Sequence, residues 1–439
     1  MTAFPLRICM LSVHTSPLAT LGGKETGGMN VYVRDLSEEL ARQGHQVDIF
    51  THAQDPAAPA ISTALGPRTR VVNIAVGPLA TVSKEALVDL MPAFAQAVDD
   101  FARQQHIRYD VLHSHYWISG LAAARLQALW TQPDGSAPPI VQMFHTLGHM
   151  KNQVAQAPHE YATEQRIEAE AAIMQQADRV VAGSPLDKAQ TVWLYGADPH
   201  KIVIIPPGVD LNRFHPIDPL EAKAAIGVPA DKRMVLFVGR IEPLKGIDTL
   251  LRAMKLVADD CGGCEGLTVA IVGGDPAVPR SQMTDEMARL HHLRAELGIE
   301  ELVTFLGKRD QDMLPYYYSA AEVVVMPSHY ESFGMVALEA MACGAPVIAS
   351  RVGGLRFSVV HGYTGLHVPV GDPNALAAAI IRLFKNDVLR WELSANSRKV
   401  AQDFGWPVIA QQITDLYHAT LAERQRQPVP LPFSQSVGS

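Results

Sequence analysis

The chain has 439 residues, of which 48% are hydrophobic and 19% are charged, so its length favours two globular domains over a single core. Its formal net charge of −8 argues against non-specific nucleic-acid binding, and it contains no run of 18 apolar residues that would predict a membrane span. Because the start of the chain also lacks the layout of a signal peptide, we expect a cytoplasmic protein.

The first half of the chain alternates buried strands with helices, and glycines lie at the first turn between them. A strand over 7–13 is followed by a turn that ends in Gly28 and Asn30, then by a helix and by a strand over 46–51. Glycine at a strand-to-helix turn lets a ligand approach the backbone closely. The spacing is not that of dinucleotide-binding folds, so we do not expect a nicotinamide cofactor.

Polar and aromatic side chains follow several predicted strands of this half. Strands are predicted over 71–76, 110–117 and 140–148, and the carboxyl ends of parallel strands are where open α/β sheets bind ligands. A polar loop carries Lys84 before a helix over 87–105, and a helix over 161–177 carries Arg166 near its start. The side chains at strand ends are His14, His115, Tyr116, His145 and Thr146.

The second half restarts the pattern with a strand over 234–238 that ends in Gly239. Two cations follow, Arg240 and Lys245, before a helix over 247–258. Arginine can bind a phosphate bidentately, and lysine adds a mobile point charge. This spacing predicts a diphosphate site at the strand end.

A second candidate site follows the predicted strand over 322–327. Glu331 precedes a helix for which Ser332 is the expected N-cap, and Glu339 is expected two turns inside this helix. The free N–H groups and the dipole of a helix start attract phosphate, and carboxylates accept hydrogen bonds from sugar hydroxyls. The pattern indicates a sugar diphosphate that is attached to a ribose.

These patterns predict two doubly wound α/β domains with parallel sheets that face each other across a cleft. We place the first domain at 1–207 and the second at 208–405, with a proline-rich hinge at their junction. A C-terminal helix over 406–424 is expected to cross back to the first domain, and the tail over 425–439 is expected to be disordered.

The glycine turn, the two cations and the two glutamates together resemble retaining glycosyltransferases of the GT-B fold, group 1 and family 4. The first-half motifs are similar to those of the D-inositol-3-phosphate glycosyltransferases of mycothiol biosynthesis. These motifs begin at His14, Gly27, His113 and His145. The resemblance implies transfer of N-acetylglucosamine or glucose from a UDP-sugar to inositol 3-phosphate.

The resemblance also implies roles for individual residues. Matching acceptor contacts are His14, Asn30, Lys84, Tyr116, Thr146 and Arg166, of which the last four match the residues that hold the acceptor phosphate. Matching donor contacts are Gly28, Gly239, Arg240, Lys245, Arg309, Glu331, Ser332, Phe333, Gly334 and Glu339. In this scheme Glu331 binds the donor sugar, Glu339 binds the ribose and Arg309 lies beside the uracil.

Catalysis is expected to depend on His145, Arg240, Lys245 and Glu331. The two cations and the helix start would stabilise the leaving diphosphate, so we expect no divalent metal and no other cofactor. His145 would lie near the hydroxyls or the anomeric face of the sugar. Closure of the hinge would exclude water. The sequence is compatible with a homodimer.

Several alternatives remain open at this stage. The loop that contains Lys24 and Glu25 resembles sucrose-phosphate synthases, which would use UDP-glucose and fructose 6-phosphate, although those enzymes usually carry Gln where Met29 stands. A protein that binds sugar nucleotides without transferring the sugar would keep the same fold. A glycogen-synthase-like polymerase and a nucleotide-sugar epimerase are less favoured, and the polymerase would leave the cations of the first half without a task.

Overall fold

The computed structural model describes residues 4–19, 27–155, 161–260, 266–275 and 283–426. Within them the chain forms two α/β domains, each built on its own sheet. The predicted loop that carries Lys24 and Glu25 lies outside the described residues, and so do residues 427–439 of the predicted tail. None of the described helices is both long enough and apolar enough to span a bilayer.

The sheet of the first domain has eight strands in the order β3-β4-β2-β1-β5-β6-β7-β8. All pairs are parallel except the short edge strand β3, which runs antiparallel to β4. The chain proceeds from β1 to β2 on one side and to β5 on the other, so β1 and β5 form the switch point at which doubly wound sheets bind ligands. The strands are β1 (Arg7–Leu11), β2 (Gln46–His52), β3 (Ile61–Ser62), β4 (Thr69–Ile74), β5 (Val111–His115), β6 (Ile140–Met143), β7 (Arg179–Ala182) and β8 (Ile202–Ile204).

Helices cover both faces of this sheet. The first helix buries Val33, Leu36 and Leu40, whose spacing gives it one apolar face. The second begins at Lys84 rather than near residue 87, because Ser83 caps it by accepting a hydrogen bond from the amide of Ala86. The helices are α1 (Gly28–Arg42), α2 (Lys84–Gln104), α3 (Tyr116–Trp130), α4 (Gly148–Val154), α5 (Glu164–Gln176) and α6 (Pro185–Tyr195).

The sheet of the second domain has six parallel strands in the order β11-β10-β9-β12-β13-β14, with the switch point between β9 and β12. The strands are β9 (Arg233–Val238), β10 (Leu267–Val272), β11 (Val303–Gly307), β12 (Ala321–Met326), β13 (Val347–Ser350) and β14 (Gly365–Val368). The helices of this domain are α7 (Pro219–Ala225), α8 (Ile247–Asp260), α9 (Asp285–Glu296), α10 (Leu314–Ala320), α11 (Met335–Ala342), α12 (Leu355–Ser358), α13 (Pro373–Lys385) and α14 (Asp387–Ala401), and the chain ends in α15 (Trp406–Arg426).

Two chain segments join the domains, and they pair with each other. The chain leaves the first domain through irregular backbone at 206–208, and the amide of Val209 then donates to the carbonyl of Phe404 at 2.8 Å. The amide of Trp406 donates back to the carbonyl of Val209 at 3.2 Å. From Trp406 onward, α15 packs on the first domain in one core cluster with α1.

Candidate active site

A cleft of about 450 Å³ separates the two domains. The carboxyl ends of β1, β5 and β6 contribute one wall, and those of β9, β10 and β12 contribute the other, because both sheets direct these ends toward the same gap. Sixteen of the predicted site residues line this cleft: His14, Gly28, Asn30, Lys84, Tyr116, His145, Thr146, Gly239, Arg240, Lys245, Arg309, Glu331, Ser332, Phe333, Gly334 and Glu339.

The glycine turn of the first domain lies directly opposite the cations and the helix of the second. A Cβ atom added to Gly28 would lie 3.5 Å from the sulfur of Met335, and one added to Gly27 would lie 3.8 Å from Nε of Arg240. A side chain at either glycine would therefore be in van der Waals contact with the opposite wall. A group bound here would contact both domains at once.

The helix that follows Glu331 begins at a different residue from the predicted one. Helix α11 begins at Met335, and its N-cap is Gly334, whose φ of 86° is in the left-handed region, so the predicted N-cap at Ser332 is wrong. The hydroxyl of Ser332 instead donates to the hydroxyl of Tyr330 at 3.4 Å. Because the helix starts later than predicted, Glu339 lies about one turn inside it, not two. The predicted end at Gly344 is confirmed, since this glycine also has positive φ just after the C-cap Cys343.

The two cations of the second domain are both held by carboxylates. Nζ of Lys245 lies 2.5 Å from Oε2 of Glu331, and Nη1 of Arg240 lies 2.8 Å from Oε1 of Glu242. The pairing of Lys245 with Glu331 joins the two predicted sites of this domain into one. It also means that Glu331 is held as the partner of a cation, which suits a hydroxyl-binding carboxylate better than a nucleophile.

Glu339 is buried on α11, and the hydroxyl of Tyr318 donates to its Oε2 at 2.7 Å. Burial raises the pKa of Glu339 to about 7, although the bond from Tyr318 acts in the opposite direction. A carboxylate in this state binds hydroxyl groups most strongly when it is ionised. Arg309, at the mouth of the same wall, donates from Nε to the hydroxyl of Tyr317 at 2.9 Å.

A glycine pair after β13 packs against the loop that carries Glu331, a contact that the sequence analysis did not predict. A Cβ atom on Gly353 would lie 1.8 Å from the carbonyl oxygen of Glu331, and one on Gly354 would lie 2.4 Å from Cα of Phe333. The amide of Gly354 also donates to the carbonyl of Glu331 at 3.1 Å. Only glycine permits this close backbone contact, so the pair fixes the position of the loop that carries Glu331.

On the first-domain wall, two cations flank the ring of Tyr116. Nζ of Lys84 lies 5.7 Å from the ring centroid, and the guanidinium of Arg166 lies 5.0 Å from it. The ring of His14 packs against the same tyrosine at 4.5 Å. Burial, followed by the charges of Lys84, His145 and Arg166, lowers the pKa of His14 to about 3. Lys84 and Arg166 place two cationic groups beside Tyr116, which favours an anion such as a phosphate group.

Arg166 is the predicted site residue that the structure places behind the cleft wall. Its side chain is buried, and its Nε donates to Glu170 at 2.8 Å. Its Nη2 donates to the carbonyl and the hydroxyl of Thr146 at 2.9 and 3.2 Å. A fully buried carboxylate such as Glu170 needs a cationic partner, which explains why Arg166 is drawn inward. It reaches the cleft through Thr146 and Tyr116.

Asn30 lines the cleft, but its amide is engaged within the glycine turn. Its Nδ2 donates to the hydroxyl of Thr15 at 2.6 Å and to the carbonyl of Ser16 at 2.8 Å. Its Oδ1 accepts the amide of Gly27 at 2.9 Å. Both amide hydrogens thus hold the turn against the end of β1. The remaining lone pair of Oδ1 could accept a hydrogen bond from a hydroxyl group of a ligand.

Two residues of the cleft have a backbone conformation that is uncommon for side chains with a Cβ atom. Tyr116 has φ of 73° and His145 has φ of 61°. Such conformations concentrate at functional sites, where surrounding structure holds them. Burial lowers the pKa of His145 to about 3, so its imidazole is neutral.

Asp187 is a cleft residue that sequence reasoning missed. It lies in the first turn of α6, and its Oδ2 accepts the amide of Gly183 at 2.9 Å. Burial raises its pKa to about 6, and the bond from Gly183 acts in the opposite direction. Its position just beyond the end of β7 is the same signal that identified the other residues of this wall. Among the described residues, no group of three His, Cys, Asp or Glu side chains is arranged to hold a metal ion.

Two models of known protein families match the sequence of this chain, one in each domain. The model "Glycosyl transferases group 1" matches residues 219–400, and the model "Glycosyltransferase Family 4" matches residues 26–213. Together with the two facing sheets, these matches define a glycosyltransferase of the GT-B fold. The resemblance that the sequence motifs indicated is thereby confirmed.

Individual relatives support the same assignment. "D-inositol 3-phosphate glycosyltransferase 2" of Catenulispora acidiphila is 39% identical over 96% of this chain and 97% of its own length. "D-inositol 3-phosphate glycosyltransferase" of Geodermatophilus obscurus is 40% identical over 96% of this chain and 91% of its own length. The chain belongs to the family 4 glycosyltransferases.

Solved structures show the same fold. The sucrose-phosphate synthase from Thermosynechococcus elongatus superimposes with a TM-score of 0.84 at 37% identity, covering 95% of this chain and all of that one. The lipopolysaccharide glycosyltransferase WaaG superimposes with a TM-score of 0.67 over 94% of this chain and 99% of that one, at 16% identity, and shows the fold alone.

Proposed function

We propose that this glycosyltransferase uses a UDP-sugar as donor, retains the configuration of the transferred sugar and transfers a hexosyl unit to inositol 3-phosphate. The observation that carries the acceptor is the positive pocket that Lys84, Tyr116 and Thr146 form on the first-domain wall, with Arg166 directly behind Tyr116 and Thr146. Its chemistry suits a phosphorylated acceptor, and the names of the relatives at 39% and 40% identity supply the inositol.

The second domain provides the donor site in this proposal. The diphosphate lies against the start of α11, Arg240 and Lys245, while Glu339 accepts hydrogen bonds from the ribose and Glu331 from the sugar. When the bond between the anomeric carbon and the phosphate oxygen breaks, its electron pair stays on the diphosphate. The two cations and the helix start stabilise that charge. Because these groups perform the task that a divalent ion has in other enzymes, we infer that the reaction proceeds without a metal.

Retention follows when the acceptor hydroxyl attacks from the face that the diphosphate leaves. The new bond forms between the hydroxyl oxygen and the anomeric carbon, and the hydroxyl proton passes to the departing diphosphate. This route needs no enzyme nucleophile. The ion pair between Glu331 and Lys245 supports it, since Glu331 is committed to a cation.

A second candidate acceptor is fructose 6-phosphate. The sucrose-phosphate synthase with a TM-score of 0.84 and 37% identity favours it. Both acceptors carry a phosphate, so the positive pocket fits either of them. The two candidates differ in the ring that lies between that pocket and the donor.

A panel of donors and acceptors separates these candidates. UDP release is measured with UDP-N-acetylglucosamine and UDP-glucose against inositol 3-phosphate, fructose 6-phosphate and unphosphorylated inositol, and each product is identified by mass spectrometry. The proposal expects turnover with inositol 3-phosphate, no product with fructose 6-phosphate, and unchanged rates in the presence of a chelator. Transfer to fructose 6-phosphate with none to inositol 3-phosphate would contradict it.

The variant Lys84→Met tests the phosphate pocket in the same assay. Because one charge-assisted hydrogen bond is lost, KM for the phosphorylated acceptor should rise by about tenfold or more while KM for the donor stays the same. Lys399→Met, an exposed position on α14 in the other domain, is the matched control. An unchanged acceptor KM in Lys84→Met would remove the phosphate role of this residue.

A further inference from the structure

Three histidine rings of the first domain lie side by side, from the cleft wall inward. The ring centroids of His113 and His115 are 4.3 Å apart, and those of His115 and His145 are 5.2 Å apart. Of the three, His145 lines the cleft, while His113 and His115 are fully buried. The backbone brings them together because β5 and β6 are neighbours and His115 lies beside Met143 in their register.

The contacts of His115 determine where its proton lies. Its Nε2 is 2.9 Å from the sulfur of Met10, and its Nδ1 is 2.9 Å from Nε2 of His145. Burial lowers the pKa of His115 well below its ordinary value, so the ring is neutral and carries one proton. A thioether sulfur has no hydrogen and can only accept. The proton of His115 therefore lies on Nε2, where it points at Met10.

The position of the proton on His115 determines the position of the proton on His145. Since Nδ1 of His115 is unprotonated, it accepts a hydrogen bond, and Nε2 of His145 must be the donor. The neutral ring of His145 then has an unprotonated Nδ1. That atom has no hydrogen-bond partner among the described residues, and it is not one of the unpartnered atoms that are sealed from solvent.

We propose that Met10 and His115 are positioning residues that fix the tautomer of His145, so that its Nδ1 faces the cleft as an acceptor for a substrate hydroxyl. The inference rests on the glycosyltransferase activity but not on the identity of the acceptor. A hydroxyl group that donates to Nδ1 is oriented with its oxygen toward the ring. The opposite tautomer would present an N–H and would lose this bond.

The tautomer is measured directly by ¹⁵N NMR of the free enzyme, which needs no turnover. The signals of His145 are identified by their loss in His145→Asn. We expect the wild-type signals to show a protonated Nε2 and an unprotonated Nδ1. A protonated Nδ1 would overturn the proposal whatever the acceptor proves to be.

Variants test whether the two neighbours set this state. Met10→Leu keeps the volume of the side chain but removes the acceptor, so a second tautomer of His145 should appear and kcat/KM should fall by about tenfold, the effect of one hydrogen bond. Ile8→Val, a buried change in the same core cluster and on the same strand, should alter neither property. Equal effects of the two variants would show that packing alone is responsible.

A pair of substitutions at His115 gives the second test. His115→Asn can offer an amide oxygen near the position of Nδ1, whereas His115→Leu cannot accept a hydrogen bond. We expect His115→Asn to retain most of the activity and the wild-type tautomer, and His115→Leu to lose about tenfold or more in kcat/KM. An effect confined to the acceptor KM would assign the hydroxyl to the acceptor, and an effect on kcat or the donor KM would assign it to the transferred sugar. Equal loss in both variants, with the tautomer unchanged, would contradict the proposal.

Discussion

At the scale of single residues, ion pairs hold the charged side chains on the second-domain wall of the cleft, and a bound ligand would have to share them. Lys245 contacts Glu331 at 2.5 Å, with both side chains only partly exposed. In the proposed complex the ammonium group of Lys245 would also donate a hydrogen bond to the diphosphate, while Glu331 accepts one from a sugar hydroxyl. The pair therefore keeps each group in place before the substrate arrives, which lowers the reorganisation that the reaction requires.

Lys245→Ala tests this arrangement. Removal of the cation should lower kcat by about 10²- to 10³-fold, the range found when one group that stabilises developing negative charge is deleted. Steady-state kinetics of UDP release measure the effect. Lys255→Ala, which removes a partly exposed lysine paired with Asp259 on α8, is the control and should keep normal rates. Turnover of Lys245→Ala close to wild type would argue against contact with the diphosphate.

Glu339 gives a prediction about pH. Burial raises its pKa to about 7, and ribose hydroxyls that donate to the carboxylate would favour its ionised form, so donor binding should lower this pKa. Affinity for the donor should then increase as pH rises through 7, by about tenfold between pH 6 and 8. Calorimetry with a UDP-sugar measures this increase, since its diphosphate does not titrate in that range. The same pH dependence in Glu339→Gln would rule out this role.

At the scale of elements, the loop that carries Glu331 is fixed by glycines from two neighbouring turns. Gly246, just before α8, has φ of 64°, and a Cβ atom there would lie 2.1 Å from the carbonyl of Pro327. Gly353 and Gly354 contact the same loop further along the chain, at Glu331 and Phe333. Backbone packing by these glycines therefore fixes the position of the loop that carries Glu331, in addition to the loop's own sequence.

Gly353→Ala tests this packing. The new methyl group would meet the carbonyl of Glu331 in a residue with φ of 43°, so the free energy of unfolding should fall by about 1–3 kcal/mol and donor affinity should fall as the loop is displaced. Chemical denaturation and calorimetry measure the two effects. Gly362→Ala is the control, because Gly362 has φ of 75° but open space around it. If both variants bound the donor like wild type, the support role would be wrong.

The sequence predicts the elements better than it predicts their contacts. Strand runs and their polar ends are local signals, so cleft residues such as His14, Tyr116, Arg240 and Lys245 could be found from the pattern, whereas Phe333 was named only through the family resemblance and Asp187 was missed. The Gly353 contact with Glu331 and the Tyr318 bond to Glu339 are non-local, and they depend on a sheet order that the pattern does not specify. The prediction that Ser332 caps α11 is wrong for a physical reason. The chain enters this helix through Gly334 in a left-handed conformation, so the N-cap is a glycine and no side chain caps the helix.

At the scale of the whole molecule, the two domains share a common joint at the paired segments around Val209 and Phe404. Trp406 lies at this joint, where its indole N–H donates to Asp35 at 3.1 Å and its ring packs edge-on against Tyr32. A Cβ atom on Gly208 would lie 2.5 Å from the same ring. Trp406 therefore joins the segment that comes back to the first domain to α1, the helix that follows the glycine turn.

Trp406→Ala should weaken the attachment of α15 to the first domain. The loss of a buried indole and its hydrogen bond is expected to lower the free energy of unfolding by about 3–5 kcal/mol. Denaturant unfolding measures this loss. Trp391→Ala, at a tryptophan on α14 that is 69% exposed, should change stability by about 0.5 kcal/mol or less. Comparable effects of the two substitutions would show that Trp406 does not hold the joint.

The most direct test of the central claim is a structure of the enzyme with a bound UDP-sugar. The account predicts diphosphate oxygens within about 3 Å of Arg240, Lys245 and the amides at the start of α11. It also predicts that the backbone at Gly28 faces the same diphosphate from the first domain. A diphosphate bound away from these groups, or held by one domain with no approach to Gly28, would contradict it.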